Sequence, residues 1–501
     1  RARVAKALAT SEADLPVIAL RKRSIDARKG KVRFHLLFEL GAEQPSDLGT
    51  PHPRAVGPSR TVIVGDGPAG LFCAYELARR GLGCTVVDRG KPVQPRRHDL
   101  KRVNRMGEVD PDSNYCFGEG GAGTYSDGKL YTRAHKRGSV RDVIEILVRH
   151  GAPAAILTDA RPHIGSNKLP AVVSSLRAEL EAAGVEFRFG ARVTGFTLRR
   201  SARPEIGGLL FADGSELPAD RVVLATGHSA SDVYEMLERH GVRLEPKAFA
   251  LGVRIEHPQP LIDRIQYGTA AGHPALPAAS YRVAETVGER GVFSFCMCPG
   301  GFIVPAATQP GGLVVNGMSL SRRSSRYANS GLVVAIEPAD VIAAGFAGVR
   351  GGIALQHALE QAAFAAGGGG FRAPATRATD FVAGRGSSNV PASSYLPGLN
   401  AGNLAEVLDG VGLQLSDKMR RAVRAFDRRM HGYLSEEAVL VGVESRTSSP
   451  VRIPRDAETL QALDLGGLFP AGEGAGYAGG IMSAAMDGMR IARQIAAEVT
   501  A

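Results

Sequence analysis

An apolar run, a glycine-rich turn, a helical pattern and a second apolar run follow one another between positions 61 and 88. The first run, Thr61–Val64, is short and continuous, which is typical of a buried strand. A helical pattern then covers Leu71–Arg80, and the second run, Cys84–Val87, ends at Asp88. The pattern therefore predicts a β-α-β unit of an α/β fold.

The rest of the chain divides into further parts. A helix-like segment and two strand candidates come first, and a stretch rich in proline and glycine follows them. The central part mixes strand-like and helix-like runs. We expect an α/β protein with four parts: a small N-terminal α/β domain (1–42), a linker (43–59), a discontinuous Rossmann-like nucleotide-binding domain (60–245 and 435–501) and an inserted α+β substrate or cap domain (246–434).

The turn between the first strand and the helix has the spacing G-x-G-x-x-G. The first glycine permits the tight turn, the second lets the backbone approach a pyrophosphate, and the third allows close packing of helix and strand. Phosphates bind at the helix N-terminus, where free N–H groups favour anions. An acid at the end of the second strand accepts ribose hydroxyls. The predicted dinucleotide contacts are Gly65, Gly67, Pro68, Ala69, Gly70, Asp88 and Arg89.

Two later segments favour FAD over NAD. Arg221–Gly227 is a strand pattern ending in A-T-G, and Gly467–Gly476 is a strand pattern entering a glycine loop, before a helix that starts near Ile481. These segments resemble signatures of flavoproteins of the glutathione-reductase type, in which the later loop carries an Asp where this chain has Glu473. We therefore expect non-covalent FAD. No second strand–glycine–helix–acid unit follows, which leaves NAD(P)H as a transient donor or a separate electron-transfer protein as alternatives.

Five further segments extend the resemblance over nearly all of residues 60–501. They are Asn114–Leu130, Lys247–Pro258, Phe293–Gly301, Asn316–Ser319 and Val443–Pro450. With the glycine motifs, they resemble a largely uncharacterised family of bacterial and plastid FAD-dependent oxidoreductases (dehydrogenases). Ser24–Arg28 fits that family's small N-terminal domain. The family is more distantly similar to flavoproteins that reduce activated C=C bonds and to fumarate-reductase-like enzymes. The resemblance implies the fold and the cofactor and leaves the substrate open.

The segment from Gly118 to Lys129 is rich in small residues, which suits close approach to a planar ring. Lys129 would balance charge at flavin N1 and O2; the alternative is a structured loop with a surface lysine. The start of the last helix would face the pyrimidine edge of the flavin. The further expected FAD contacts are Gly120, Gly121, Gly123, Thr124, Ser126, Asp127, Lys129, Val193, Thr226, Gly227, Gly472, Glu473, Gly480 and Ile481.

Four residues are candidates for the chemistry itself. Cys296 and Cys298 share one face of a predicted strand, and they are either packed thiols or a redox dithiol; the missing C-x4-C motif of disulfide reductases favours packing. Arg446 is either a clamp for a carboxylate or phosphate or a structural ion pair with Glu444 or another acid. Tyr477 is either a proton donor or a packing residue.

Composition and net charge limit the partners, the location and the reactions that we expect for this chain. The chain has 501 residues and a net charge of +11, but it has no dense basic helix with interleaved aromatic residues, which argues against a nucleic-acid partner. Five cysteines do not form a disulfide framework, so the cytoplasm is the expected location. No apolar run reaches the roughly 18 residues that span a bilayer, and no metal site is expected. Tryptophan is absent, so the halogenase motif W-x-W-x-I-P cannot occur.

The expected activity is hydride transfer between flavin N5 and a small organic substrate, as in a dehydrogenase or ene-type reductase. Two alternatives stay open. One is a flavin monooxygenase, which would oxidise NAD(P)H rapidly with release of peroxide. The other is an RNA-associated flavoprotein similar to tRNA-modifying relatives, which would copurify with RNA and bind it with a steep salt dependence.

Overall fold

The computed structural model describes residues 1–27, 30–41, 50–132 and 138–500. Its N-terminal unit is a short helix with a two-stranded antiparallel hairpin: α1 (Ala2–Ala7), β1 (Ile18–Asp26) and β2 (Arg33–Leu40). Arg23 attaches the hairpin to the next unit, because its backbone pairs with Thr158 and Ala160. Arg28 and residues 42–49, which include most of the first half of the expected linker, lie outside the described residues.

The chain then alternates strands with helices and forms a three-stranded antiparallel meander. The elements are β3 (Thr61–Val64), α2 (Pro68–Arg79), β4 (Thr85–Val87), α3 (Val93–Met106), α4 (Val140–Arg149), α5 (Leu169–Ala182), β5 (Glu186–Arg188), β6 (Val193–Arg199), β7 (Glu205–Phe211), β8 (Glu216–Pro218), β9 (Arg221–Leu224) and α6 (Ser231–Arg239).

The next part contains longer strands, after which the chain returns with one short strand and a long helix. The elements are β10 (Glu245–Pro246), β11 (Phe249–Pro258), α7 (Gln259–Tyr267), β12 (Ala284–Val287), β13 (Arg290–Pro305), β14 (Val315–Ser319), β15 (Tyr327–Ile336), α8 (Pro338–Ala343), α9 (Gly351–Gly367), β16 (Ala373–Arg377), α10 (Ala378–Ala383), β17 (Leu399–Ala401), α11 (Leu404–Asp409), α12 (Leu415–Arg429), β18 (Val439–Glu444), β19 (Val451–Arg452), β20 (Leu468–Pro470) and α13 (Ile481–Thr500).

A parallel sheet forms the centre of the second unit, in the strand order β5-β4-β3-β9-β20. All four residues of β3 are buried, as expected for a strand covered on both faces. The helices α2 and α13 pack against each other beside it through Ala69 and Gly488, where a Cβ atom on the glycine would lie only 2.0 Å from the Ala69 carbonyl oxygen. The expected α/β class is confirmed.

An eight-stranded sheet forms the centre of the third unit, which we call the cap after its expected role; its strand order is β12-β13-β15-β11-β18-β16-β17, with β14 paired to β13. Its strands pair antiparallel except for β16 and β17. The sequence placed the return to the nucleotide-binding domain at residue 435, but β18 pairs with β11 and β16 in the cap sheet. The chain therefore leaves the cap only after Glu444. Pattern alone could not reveal this, because a buried cap strand and a buried strand of the parallel sheet are equally apolar.

Among the described residues, no helix is long and apolar enough to cross a membrane.

Candidate functional site

The turn after β3 brings Gly65 and Gly70 into close backbone contact with their surroundings. A Cβ atom on Gly65 would lie 2.5 Å from the Ala225 carbonyl oxygen, and one on Gly70 would lie 1.9 Å from the Gly65 carbonyl oxygen. Gly65 also has a φ of 102°, which favours glycine. Gly67 is the N-cap of α2, whose first turn has no acidic side chain and, within the described chain, no side-chain cap. The backbone N–H groups at this helix end therefore suit an anion.

A second helix begins close to the first. A Cβ atom on Gly123 would lie 3.2 Å from Pro68 Cγ on α2 and 3.5 Å from Ile481 Cγ1 on α13, and one on Gly121 would lie 3.0 Å from Gly67 Cα. The amino ends of both helices thus meet at loop 120–123, which approaches them through glycine backbone. We call this arrangement the glycine cradle; it comprises Gly65, Gly67, Gly70, Gly121 and Gly123 with the first residues of α2 and α13.

Two further glycines complete the α13 side of the cradle. A Cβ atom on Gly472 would lie 2.9 Å from Ala69 Cβ on α2, and the Gly472 N–H donates to Asp487 Oδ2 at 2.9 Å. Gly480, directly before Ile481, has no atom within 4 Å of its Cβ position. The cradle is therefore closely packed at Gly472 and open at Gly480, next to the amino end of α13.

Asp88 organises the loops around the cradle. Its Oδ2 accepts the Asp66 N–H at 3.0 Å, and its Oδ1 accepts the N–H groups of Gly90 and Gly118 at 2.8 and 3.1 Å. The carboxylate, expected to accept ribose hydroxyls, is thus already engaged by three backbone donors. These hydrogen bonds join the glycine turn to the Gly118 loop.

Asp66 lies between the first two glycines and is fully buried. Within the described chain, neither of its carboxylate oxygens has a hydrogen-bond partner. Burial, followed by the charges of Asp88 and Glu119, raises the pKa of Asp66 well above its ordinary value. A neutral Asp66 therefore has an O–H group to donate to an anionic ligand in the cradle.

Arg89 and Val193, both expected to contact the cofactor, have different surroundings. The Arg89 guanidinium pairs with Asp112 at 2.9 Å and with Asp232 at 3.0 and 2.8 Å, which engages its donors within the protein. Val193 begins β6, and the segment leading into it is tied to the turn after β4 by the bond from the Ala191 N–H to the Asp88 carbonyl. Val193 therefore lies beside this turn, but Arg89 is an ion-pair residue.

Arg96 holds the Gly118 loop in place and was not identified from the sequence. Its buried guanidinium donates to five backbone carbonyl oxygens at 2.8 to 3.1 Å. The acceptors belong to Asn114, Tyr115, Gly118, Glu119 and Gly121. Five charge-assisted bonds to one loop fix its path over the cradle.

Three polar side chains of this loop, which were expected to contact the cofactor, have hydrogen-bond partners within the protein. Thr124 Oγ1 donates to the Glu119 carbonyl at 2.8 Å, and Ser126 Oγ donates to the Gly123 carbonyl at 2.8 Å. Asp127 accepts from Arg323 Nη2 at 2.9 Å and from the Ser319 hydroxyl, both on the cap. The backbone of Gly120, Gly121 and Gly123 is what the loop offers to a ligand.

The A-T-G turn after β9 and the later glycine loop lie together. A Cβ atom on Gly65 would be 3.1 Å from Thr226 Cα, and one on Gly474 would be 2.4 Å from the Gly227 carbonyl oxygen.

Glu473, in the later glycine loop, has a quarter of its side chain exposed, and its carboxylate lies 3.8 Å from His228 Nε2. Burial raises the pKa of Glu473 to about 7, and Lys247 opposes the shift. Burial lowers the pKa of His228 to about 3, so that imidazole is neutral.

Lys129, at the far end of the Gly118 loop, contacts the cap. Its Nζ lies 3.4 Å from the sulfur atoms of both Cys296 and Cys298 and 3.4 Å from Asp127 Oδ2. Burial opposes the charged ammonium, but the two cysteines and Asp127 raise the pKa of Lys129. The sequence favoured packed thiols; the structure instead places both sulfurs against a cation. The sequence pattern could not reveal this contact, because Lys129 lies 167 residues from Cys296 in the chain.

A buried ion pair supports the thiols from the other side. Arg254 is fully buried and donates to the Cys296 carbonyl oxygen at 3.0 Å, and its Nε lies 2.7 Å from Glu444 Oε2. Asn316 and Asn329 accept its other bonds at 2.9 and 3.0 Å. Arg254 and Asn316 occur in segments that carry the family resemblance, but the sequence pattern indicated no role for either residue.

The two remaining catalytic candidates are engaged elsewhere. Arg446 binds Glu360 with Nε and Nη2 at 2.7 and 2.8 Å and is 9% exposed, so it is a structural ion pair and its partner is not Glu444. The Tyr477 hydroxyl accepts the Arg455 N–H at 3.1 Å, and the Arg455 guanidinium lies 3.8 Å from the ring centroid. Tyr477 therefore stacks on Arg455, and its role as a proton donor stays a prediction.

The fold and the cradle define an FAD-binding protein, and comparisons with known proteins agree. Residues 60–96 match the family described as FAD binding domain, and residues 248–447 match FAD-dependent protein, C-terminal domain-like. Residues 1–40 match a domain of unknown function. An uncharacterized protein of Clostridium beijerinckii is 39% identical over 516 residues, which cover 98% of this chain and 95% of the relative. The chain belongs to this family of FAD-dependent proteins.

Solved structures give more distant likenesses. CtdE in complex with FAD is 10% identical over 88% of this chain and 84% of that chain, with a TM-score of 0.32. The flavin-dependent brominase Bmp2 is 13% identical over 88% and 81%, with a TM-score of 0.38. At this level no reaction or substrate transfers to the chain. The family assignment establishes FAD as the cofactor and the chain as an FAD-dependent protein.

Proposed function

We propose that the protein is an FAD-dependent oxidoreductase, a dehydrogenase or ene-type reductase, that moves a hydride between flavin N5 and a small organic substrate. When bound, FAD supplies the two-electron chemistry. The observation that carries the proposal is the continuity of one loop. Gly121 and Gly123 lie in the glycine cradle, and Lys129, six residues beyond Gly123, contacts the thiols of cap strand β13.

Two side chains then have roles that follow from their surroundings. Lys129 carries a positive charge that stabilises negative charge developing on a neighbouring group. Glu473, with its pKa raised to about 7, can hold or release a proton near neutral pH. A quarter of the Glu473 side chain is exposed, which lets its proton exchange with solvent.

The wider arrangement is part of the same proposal. The FAD-binding unit is of the glutathione-reductase type, and the eight-stranded cap supplies the substrate side of the site. Reducing equivalents come from NAD(P)H bound transiently or from a separate electron-transfer protein. Stopped-flow mixing with NADH and NADPH separates these donors: slow, unsaturated flavin reduction by both favours the protein donor, whereas saturation at micromolar nucleotide contradicts it.

The hydride proposal is tested by anaerobic reoxidation. The purified flavoprotein is reduced with dithionite and mixed with fumarate, crotonate or cyclohexenone, and the return of oxidised flavin absorbance is followed. We expect one class of activated alkene or carbonyl compound to reoxidise the flavin. If dioxygen alone does so, and NAD(P)H consumption matches peroxide release, the protein is a monooxygenase-type or oxidase-type flavoenzyme and the hydride proposal is wrong.

A further inference from the structure

The strand that carries Cys296 and Cys298 is irregular where they lie. Phe295 pairs with Gly331 of β15, and Cys298 pairs with Asn329, so β13 has one extra residue in this interval. Cys296 itself has a φ of 42°, in the left-handed region that residues with a side chain rarely occupy. Such bulges and strained residues concentrate at functional sites.

The bulge brings the two thiols together. Both sulfurs contact the same Lys129 Nζ at 3.4 Å, and Cys298 Sγ also donates to the Cys296 carbonyl oxygen at 3.3 Å. Cys298 is fully buried, whereas Cys296 is half-buried and Lys129 has a third of its side chain exposed. Cys296 is therefore the more accessible residue of the pair, and Cys298 is covered.

The charges around the pair make the two thiols unequal. The hydrogen bond from Cys298 lowers the pKa of Cys296 well below its ordinary value, and Lys129 and Arg254 assist while burial and Asp127 oppose. The same hydrogen bond and burial raise the pKa of Cys298. The surroundings therefore favour the thiolate form at Cys296 and the thiol form at Cys298. In dithiols that attack disulfides, the thiol with the lowered pKa is likewise the nucleophile, and the second thiol resolves the mixed disulfide.

We propose that Cys296 and Cys298 are a redox dithiol that exchanges with a small disulfide of the glutathione type, Cys296 as the nucleophile and Cys298 as the resolving thiol. A small disulfide is the fitting class because Cys296 is only half-buried and Cys298 is fully buried, which disfavours a bulky partner. This activity goes beyond hydride transfer, and it does not require that the proposed hydride reaction be correct.

The exchange balances in two steps. The Cys296 thiolate attacks one sulfur of the small disulfide; a new S–S bond forms, the old one breaks, and the first small thiolate leaves. The Cys298 thiol then gives up its proton to that thiolate or to solvent and attacks Cys296 Sγ, which releases the second. The protein loses two electrons to form an intramolecular disulfide, and the small disulfide gains them; one small thiolate takes the Cys298 proton and the other takes a proton from solvent, which gives two thiols.

The test counts thiols in the flavoprotein as purified. Samples are equilibrated with defined mixtures of glutathione and glutathione disulfide, quenched in acid, denatured and alkylated with N-ethylmaleimide. Of the five cysteines, we expect all to be labelled under reducing conditions and two fewer under oxidising ones, with peptide mapping placing the disulfide at 296–298. Cys116→Ser is the matched control, because Cys116 Sγ lies instead 3.9 Å from the Ala306 carbonyl oxygen; it should lose two labels as well.

Two variants probe the roles. Cys298→Ser should trap glutathione on Cys296 as a mixed disulfide. Lys129→Gln should slow alkylation of Cys296 in the native protein by about tenfold, and Lys129→Arg should largely restore it. The proposal is overturned if five labels persist at every glutathione ratio, if Cys298→Ser takes up no glutathione, or if the disulfide joins other cysteines. FAD content measured on the same samples reports separately on the cofactor site.

Discussion

We expect the substitution Gly67→Ala to weaken FAD binding without destabilising the apoprotein. Gly67 has a φ of −77° and a ψ of −175°, which any residue adopts, and its Cβ would contact Gly121 Cα at 3.9 Å and no other atom within 4 Å. The free energy of unfolding without FAD should therefore change by no more than about 0.5 kcal/mol. An FAD pyrophosphate at the first turn of α2 would instead meet the added methyl group and lose its close approach to the backbone N–H groups.

The size of the effect follows from those lost contacts. Two hydrogen bonds to a charged phosphate, at about 1.5 kcal/mol each, amount to about 3 kcal/mol, which is a rise of roughly 100-fold in Kd. Titration of the apoprotein with FAD, followed by flavin fluorescence, measures Kd, and urea denaturation measures stability. Gly402→Ala is the control, because its Cβ would meet nothing within 4 Å. An unchanged Kd for Gly67→Ala, or an unstable apoprotein, refutes the reasoning.

Three further predictions concern single side chains. Arg96→Gln removes the donors that five loop carbonyl oxygens need, so it should lower the free energy of unfolding by about 3–5 kcal/mol and weaken FAD retention. The same change at exposed Arg97 should lower the free energy of unfolding by less than about 0.5 kcal/mol, and equal effects of the two variants would contradict the account. Asp88→Ala leaves three N–H groups without their acceptor and should weaken FAD retention in a dialysis assay; retention at the parent level contradicts this. The raised pKa of Glu473 means that, between pH about 4.5 and about 7, the folded chain holds a proton that the unfolded chain has lost. The free energy of unfolding should therefore fall by about 1–3 kcal/mol as pH rises through this range. Urea denaturation at several pH values should show no such fall for Glu473→Gln, and parallel pH curves for the variant and the parent would contradict this.

Local pattern predicted the cradle well. Gly65, Gly67 and Gly70 lie within six positions, and each has a steric reason that can be stated without knowing the fold. The structure gives Gly65 its left-handed φ and places Gly70 against the Gly65 carbonyl. The helix expected to begin near Ile481 does begin there. These features were predictable because the residues that cause them are neighbours in the chain.

Contacts across long sequence distances were not predictable in this way. The partner of Arg446 is Glu360, 86 residues away, although Glu444 is nearer in sequence. The strand β13 runs as one 16-residue strand through Pro299, with register shifts on both sides of Cys298. Those shifts break the alternation that would place Cys296 and Cys298 on one plain strand face. Period-two reasoning cannot detect a bulge, since a bulge is fixed by the partner strand.

A crystal structure of the purified yellow protein tests the central claim most directly. The account predicts one FAD per chain, with its pyrophosphate hydrogen-bonded to the backbone at the start of α2 and its isoalloxazine running past the Gly121–Gly123 backbone toward the start of α13. Cofactor density in another part of the chain, or a colourless protein that cannot be reconstituted with FAD, would contradict it.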